Sequence, residues 1–364
     1  MTSRVPSAGS GQSEEAAGEA RAWISGYDAR IRRRLVILVL LSLALCASFV
    51  LDLITGPSSM GVPHALKGLF GLGELSLPQR IIIFDVRVPA AIVAILVGAA
   101  LSLAGAEMQT VLNNPLASPF TLGVSSAASL GAALALVLGI GIPGVPPDWI
   151  VSGNAFLFAF ASVLLLQGMA RARGAGVETL VLVGIAMVFT FNALVALVQF
   201  VASQDALQQL VFWTMGSLGR ASWNKLAILA FLLIILLPLS LKDAWKLTAL
   251  RLGEDRARSF GINVARLRFV SLVRVSLLAG TSVAFVGTIG FIGLVGPHIA
   301  RLMVGEDHRF FLPTSVLTGA LLMSLASALS KVLATGVVLP VGIMTALIGV
   351  PFFIFLIFTS RERT

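Results

Sequence analysis

Charge is scarce in this chain. Lysine, arginine, aspartate and glutamate make up 12% of its 364 residues, against 57% hydrophobic residues, and the mean hydropathy is +0.97. That balance excludes an ordinary soluble domain and defines a polytopic membrane protein. Cysteine occurs once, as Cys46, inside the first apolar run. No internal disulfide can form, and the thiol reads as a small buried hydrophobe. The three histidines, His64, His298 and His308, are too scattered to show metal-ligand spacing. No Gly-Lys dipeptide occurs anywhere, so there is no Walker A loop. The chain cannot by itself bind and hydrolyse ATP in the P-loop manner. Gly139 to Gly144 (GIGIPG) fits G-x-G-x-x-G, but it follows an apolar segment and contains a proline. It lacks the strand–turn–helix setting of a dinucleotide site. No catalytic constellation is visible. The net charge of +9 does not point to nucleic acid, because the basic residues sit in short loops beside apolar segments.

What the chain has in quantity is long apolar runs. They lie at about 35–54, 88–112, 119–140, 150–170, 178–202, 225–241, 270–294, 311–332 and 339–358. Most reach the ~20 residues a helix needs to cross a bilayer. They are too long, and alternate too little, for strands. Nine crossings would leave the two ends on opposite sides, yet Arg361 and Arg363 argue for a cytoplasmic C-terminus. A tenth, short crossing near Pro297 to Gly305 resolves the conflict. Cytoplasmic segments then hold 19 of the 26 basic residues, including Arg4, Arg171 and Arg173, and the outer side holds 6, including Lys67. Residues 1–34 lack an apolar period and are expected to be disordered or weakly helical in the cytoplasm. The cluster Arg30, Arg32, Arg33, Arg34 fixes the start of the first span.

One stretch interrupts this pattern. Leu241 to Arg268 holds seven basic and three acidic residues. An island of that charge cannot lie in hydrocarbon, so it is a water-facing loop. Its inner part, Leu250 to Gly261, predicts one short surface helix with Glu254 and Asp255 near its start and a closing glycine. Such a helix suits docking to a soluble partner; a merely solvated loop is the plain alternative. Gly98, Gly105, Pro115 and Gly123 recur as Gly280, Gly287, Pro297 and Gly305 at one offset of 182. Entering the membrane from opposite sides, the two copies predict an inverted repeat.

The segment Asn113 to Ser126 (NNPLASPFTLGVSS) carries two prolines and two asparagines and disfavours continuous helix. It reads as a gate or pathway lining, or as a tight cytoplasmic turn. Glycines in Gly287 to His298 read chiefly as helix-packing positions. Glu107 and Arg274 are the ionisable residues singled out within the spans, each placed near a span end. A secondary transporter driven by an ion gradient would need such groups deep in the membrane, which makes it the alternative reading.

Together these stretches resemble the FecCD-type permease subunits of type II ABC importers, the family that carries ferric siderophores, haem and cobalamin. The resemblance covers roughly residues 35–360. It rests on VRVPAAIVAILVGAALSLAGAEMQ (86–109), NPLASPFTLGVSSAASLGA (114–132), LGEDRARSFGINVARLR (252–268), GFIGLVGPHIARLMVGEDHRFFLP (290–313) and LPVGIMTALIGVPFFIF (339–355). It implies an all-α fold of about ten transmembrane helices with an inverted repeat, in a homodimer in the bacterial inner membrane with both termini cytoplasmic. Two separate ATP-binding subunits would dock on the 242–268 loop through Arg251, Gly253, Glu254, Ala257, Arg258 and Gly261. ATP and Mg would sit on those subunits; no cofactor or metal is expected on this chain. The path and gate would involve Asn114, Pro115, Leu116, Gly123, Ser125, Ser126, Gly293 and Pro297. An extracytoplasmic binding protein would meet Arg87 and Lys331. Ala90 stands where many members carry a second arginine, with Arg80 as a substitute, and Val338 replaces a common glutamate.

This topology fixes the side on which the charged loop lies. With Cys46 replaced by serine, a cysteine at Asp255 is expected to react with a membrane-impermeant maleimide in inverted vesicles and not in intact cells. Labelling from outside would overturn the arrangement.

Overall fold

The computed structural model describes residues 10–56, 76–141, 143–172, 177–333 and 336–360. Arg4, His64, Lys67, Arg173, Arg361 and Arg363 lie outside these ranges. Among the described residues there is no strand. Helix α1 runs Ser10–Ile54 and α2 runs Leu77–Val111, with a π-helical turn at Ile82–Arg87. Then come α3 Val124–Leu138, α4 Pro147–Ala172, α5 Val177–Phe200, α6 Gln204–Thr214 and α7 Trp223–Lys242. The charged loop carries α8 Ala244–Leu250 and α9 Glu254–Ser259. The chain ends with α10 Val264–Val286, α11 Ile292–Val304, α12 His308–Val332 and α13 Val341–Ser360.

Seven of these helices are long and apolar enough to cross a membrane, and three shorter apolar ones lie at Val124–Leu138, Ile292–Val304 and Val341–Ile354. The short tenth crossing expected near Pro297 is therefore α11. It is short because Gly287 ends α10 at φ +81 and Gly305 ends α11 at φ +77, both in the left-handed region that glycine adopts at no steric cost.

Several expectations are corrected. Helix α1 begins at Ser10, so 10–34 is helical; Glu14, Glu15, Ala16, Ala17, Glu19 and Ala20 are strong helix formers contiguous with the first span. Cys46 is exposed on the outside of the bundle, where the apolar surface of a membrane protein faces lipid. The short helix expected over Leu250–Gly261 is present but starts later, at Glu254, because Gly253 at φ +111 separates it from a second helix that ends at Leu250. Helix α10 starts at Val264, inside the expected loop, because Asn263 accepts a hydrogen bond from the Arg266 amide and caps it.

The inverted repeat exists, but in the order of elements. Helix α2 packs on α12 as α10 packs on α4; α3 on α4 as α11 on α12; α2 on α11 as α10 on α3; and α2 meets α10 at the centre. The C-terminal part of α2 (Glu107, Val111) meets the N-terminal part of α10 (Arg274, Arg268), so the two run antiparallel. The constant offset of 182 does not pair equivalent positions. Pro115 lies in a turn while Pro297 lies inside α11, and Gly123 starts α3 while Gly305 ends α11.

Glycine sets the closeness of the core. A Cβ at Gly105 of α2 would overlap the Gly293 carbonyl of α11, and one at Gly98 would overlap the Gly319 carbonyl of α12. These helices touch backbone to backbone, the packing that small residues allow in membranes. Backbone breaks at the end of the bundle away from the charged loop are covered in the same way. The Ser217 amide donates to the Val286 carbonyl at 2.7 Å, and a Cβ at Gly342 would meet the Met215 carbonyl. Non-helical backbone at membrane depth is thus satisfied within the protein. Replacing Gly105 by alanine is expected to cost about 1–3 kcal/mol through forced separation of α2 and α11, read as a lower Tm in detergent; Gly153→Ala, in α4 with open space around its Cβ position, is the control for loss of a helical glycine.

Candidate functional site

The charged loop is built as a rigid bracket. Helix α9 carries Glu254 and Asp255 in its first turn and Arg256 and Arg258 in its last, each sign at the end of the helix dipole that favours it. Gly261 follows at φ +77, and Ala257 is fully buried, so the helix is seated on the bundle by a side chain too small to hold it away.

Ion pairs then tie the bracket to the spans. Arg268 of α10 donates through Nε to the Val111 carbonyl at the end of α2 (3.1 Å) and through Nη2 to Glu254 Oε1 (2.6 Å). Arg258 donates to the other Glu254 oxygen at 3.0 Å. The Glu254 carboxylate therefore joins α9 to α10, and the Arg268 guanidinium carries the connection on to α2. Arg251, between α8 and α9, makes a two-pronged bond to Glu306 at 3.1 and 2.6 Å and reaches Asn113 Oδ1 at 2.6 Å. Glu306 sits in the turn between α11 and α12, and Arg301 Nε of α11 lies 3.2 Å from it. The hydrogen bond from Arg251 holds the Glu306 carboxyl below its ordinary value, reinforced by the nearby charges of Arg251 and Arg301 against partial burial, so the pair is charged at neutral pH. Arg301 also donates to Gln109 of α2 at 3.0 Å. His308, at the start of α12, joins Thr110 of α2 at 2.7 Å and Thr248 of α8 at 3.1 Å.

A deeper layer lies inside the spans. Arg274 of α10 bonds both oxygens of Glu107 (3.0 and 3.1 Å) and Asp243 Oδ2 (2.9 Å). Glu107 is 0% exposed. It is therefore neither solvated at the interface nor open to a passing ion. Removing one partner of such a buried pair costs about 3–5 kcal/mol. The alternative of an ion-driven carrier gains nothing from these two residues, since each is consumed by the other.

The remaining predicted positions divide. Asn114, Pro115 and Leu116 lie in the α2–α3 turn at the charged end, where Asn114 Oδ1 accepts from the Leu116 amide at 2.9 Å and Leu116 is exposed. Gly123, at φ +85, starts α3 against Met187 and Val188 of α5; Ser125 is buried and Ser126 half-buried. Gly293 and Pro297 are buried within the chain, and Gly293 packs on the α2 backbone. Arg87 and Lys331 are turned inward. Arg87 donates to the Leu53 carbonyl at 3.0 Å at the end of α1. Lys331 donates to Asp52, 0% exposed, at 2.8 Å, while Ser327 bonds its other oxygen. Arg80 is exposed. Arg268, Glu306, His308 and Asp52 were missed by sequence reasoning, and Asn113 was read only as part of the Asn113–Ser126 segment. Asp52 alone gave a signal, as a carboxylate at the end of an apolar run.

A bundle of apolar helices with a charged bracket lashed to four of them, and with no nucleotide-binding loop, defines a transport permease driven from outside its own chain. The description "FecCD transport family" matches residues 39–359, and the chain belongs to that family. It is the membrane-embedded permease subunit of a type II ABC importer; ATP hydrolysis belongs to a separate subunit. The hemin transport system permease protein HmuU of Yersinia pestis is 36% identical over 77% of this chain and 84% of its own length. The Fe(3+)-citrate import system permease protein YfmE of Bacillus subtilis is 35% identical over 91% and 98%. A solved inward-facing structure, described as that of a metal-chelate type ABC transporter, superposes with a TM-score of 0.78 at 31% identity, covering 89% of this chain and 99% of that one.

Glu254→Lys places a cation against Arg258 and Arg268 and removes the joint. The expected outcome is at least a tenfold loss of transport-coupled ATPase activity, with membrane insertion unchanged. Full coupling in that variant would contradict the role given to the bracket.

Proposed function

We propose that the chain imports an iron chelate, with a ferric siderophore as the cargo, as a homodimer in the bacterial inner membrane with both termini cytoplasmic. The observation that carries the mechanism is the continuous bonding from Glu254 through Arg268 to the end of α2. Two ATP-binding subunits dock on α8 and α9. When they close on ATP, the bracket moves, and the ends of α2, α10, α11 and α12 move with it because Glu254 is bonded to α10, Thr248 to α12, and Arg251 to the turns that follow α2 and α11. A push on a lashed block exchanges outward for inward access by tilting, the rigid-body kind of switch.

The path runs along α5, facing its counterpart in the second copy. Helix α5 packs on α3 and α4 and leaves Leu182, Phe189, Thr190, Asn192 and Leu197 exposed. An amide such as that of Asn192 is costly to leave in hydrocarbon, which favours a watery path or a subunit interface over lipid on that face. Its contacts are weak and mostly apolar, suited to a large chelate that must not stick, with selection left to the extracytoplasmic binding protein. Arg80 is the cation presented to that protein; Arg87 and Lys331 are engaged within the chain. The iron-chelate reading is supported by relatives named for hemin and for ferric citrate.

Reconstituted with its ATP-binding subunits and binding protein, the complex is expected to hydrolyse ATP severalfold faster with a ferric siderophore than with haem or cobalamin. Stimulation by haem or cobalamin alone would replace the cargo, and cargo movement without the ATP-binding subunits would overturn the mechanism.

A further inference from the structure

A groove of about 800 Å³ opens between α7, the α8–α9 bracket and α10. It lies apart from the face of α5 and touches the bonding network only at Asp243 and Arg274. Its upper rim carries Lys242, Lys246 and Arg266, and the exposed aromatic rings of Trp245, Phe260 and Phe269. Its one rim carboxylate, Asp243, is already shared by Lys246 and Arg274. Among the described residues neither Lys242 nor Arg266 forms an ion pair, and both are exposed. The rim therefore holds unspent positive charge.

The lower wall is apolar: Leu236 and Leu239 of α7 face Val270, Val273 and Leu277 of α10. Leu277 lies about 20 Å along α10 from its start at Val264, and Leu236 about 9 Å before the end of α7. The groove thus runs from the water-facing loop down into the part of the spans that hydrocarbon surrounds. A soluble partner can cover the rim but cannot follow the wall. A molecule with an anionic head and a long apolar tail can occupy both.

We propose that this groove binds an anionic phospholipid, its phosphate between Lys242 and Arg266 and an acyl chain along Leu239, Val273 and Leu277. Basic pockets between transmembrane helices recognise such headgroups, and aromatic rings favour the interfacial depth. Because the bound lipid touches α7, the bracket and α10 together, it braces the loop against the span to which Arg268 belongs.

The test is native mass spectrometry of the full-length protein in detergent, titrated with equal amounts of phosphatidylglycerol and phosphatidylcholine. Phosphatidylglycerol is expected to be retained preferentially, and the Lys242→Gln/Arg266→Gln pair to weaken that retention about tenfold. Leu239→Trp, which fills the apolar wall and leaves the charge alone, is expected to weaken it as well, with Tm reporting intact folding. Equal retention of the two lipids by the unaltered protein would overturn the proposal, as would undiminished phosphatidylglycerol retention in both variants. Loss of ATP-binding-subunit capture with retention unchanged would likewise overturn it, identifying the rim as a protein-docking surface. None of these outcomes bears on the cargo, so the transport reading stands or falls separately.

Discussion

The structure turns on one guanidinium. Arg268 spends one nitrogen on the Val111 carbonyl at the end of α2 and another on the carboxylate that begins α9. The end of a helix leaves carbonyls without partners, and a cation is the favoured group there. The bracket is thereby joined to the bundle at the point where the bundle's own backbone most needs a donor. A charge-assisted bond of this kind is about twice as strong as a neutral one. It is also half-sheltered from water, so the connection is stiff as well as strong, which a force-transmitting joint requires.

A second layer of charge serves a different end. Glu107 and Arg274 in the spans and Asp243 at the end of α7 form a linked set, to which Lys246 supplies the second cation. Desolvating such groups costs several kcal/mol each before their attraction is counted. They contribute little net stability over an apolar filling; breaking the set is what costs. Its physical consequence is registry: α2, α7 and α10 cannot slide past one another without parting opposite charges in a low dielectric. Asp52 with Lys331, and Arg34 with Asp307, lace α1 to α12 at its two ends in the same manner. The bundle is held by glycine contact along its length and by ion pairs at its ends, so tilting is easier than shearing.

Most of the fold was legible because hydrocarbon restricts the chain so severely. Where only helices can satisfy the backbone, long apolar runs separated by charge give the number and position of spans, and the short α11 followed from charge asymmetry alone. The break within the charged loop was not legible, since a glycine at position 253 reads equally well within a helix or at its end. The repeat was legible as a pairing of α2 with α10 and misplaced in detail: with so many glycines, equal spacing is not equal position, and packing alone shows which neighbours the two helices share.

The sequence by itself determined the solvent, the class of each element and the dependence on an outside source of energy, because composition, run length and the missing phosphate loop are local properties. It also marked Glu254 and its neighbours, whose charges stand close together along the chain. Only the tertiary structure decided which charge meets which. Glu107 and Arg274 are separated by 167 residues and Arg251 and Glu306 by 55, and no local pattern encodes such a meeting. The same holds for Arg87 and Lys331: the resemblance gave them a docking role, and the carbonyl and carboxylate they bond come from α1, hundreds of residues from Lys331 along the chain but a hydrogen bond away in space.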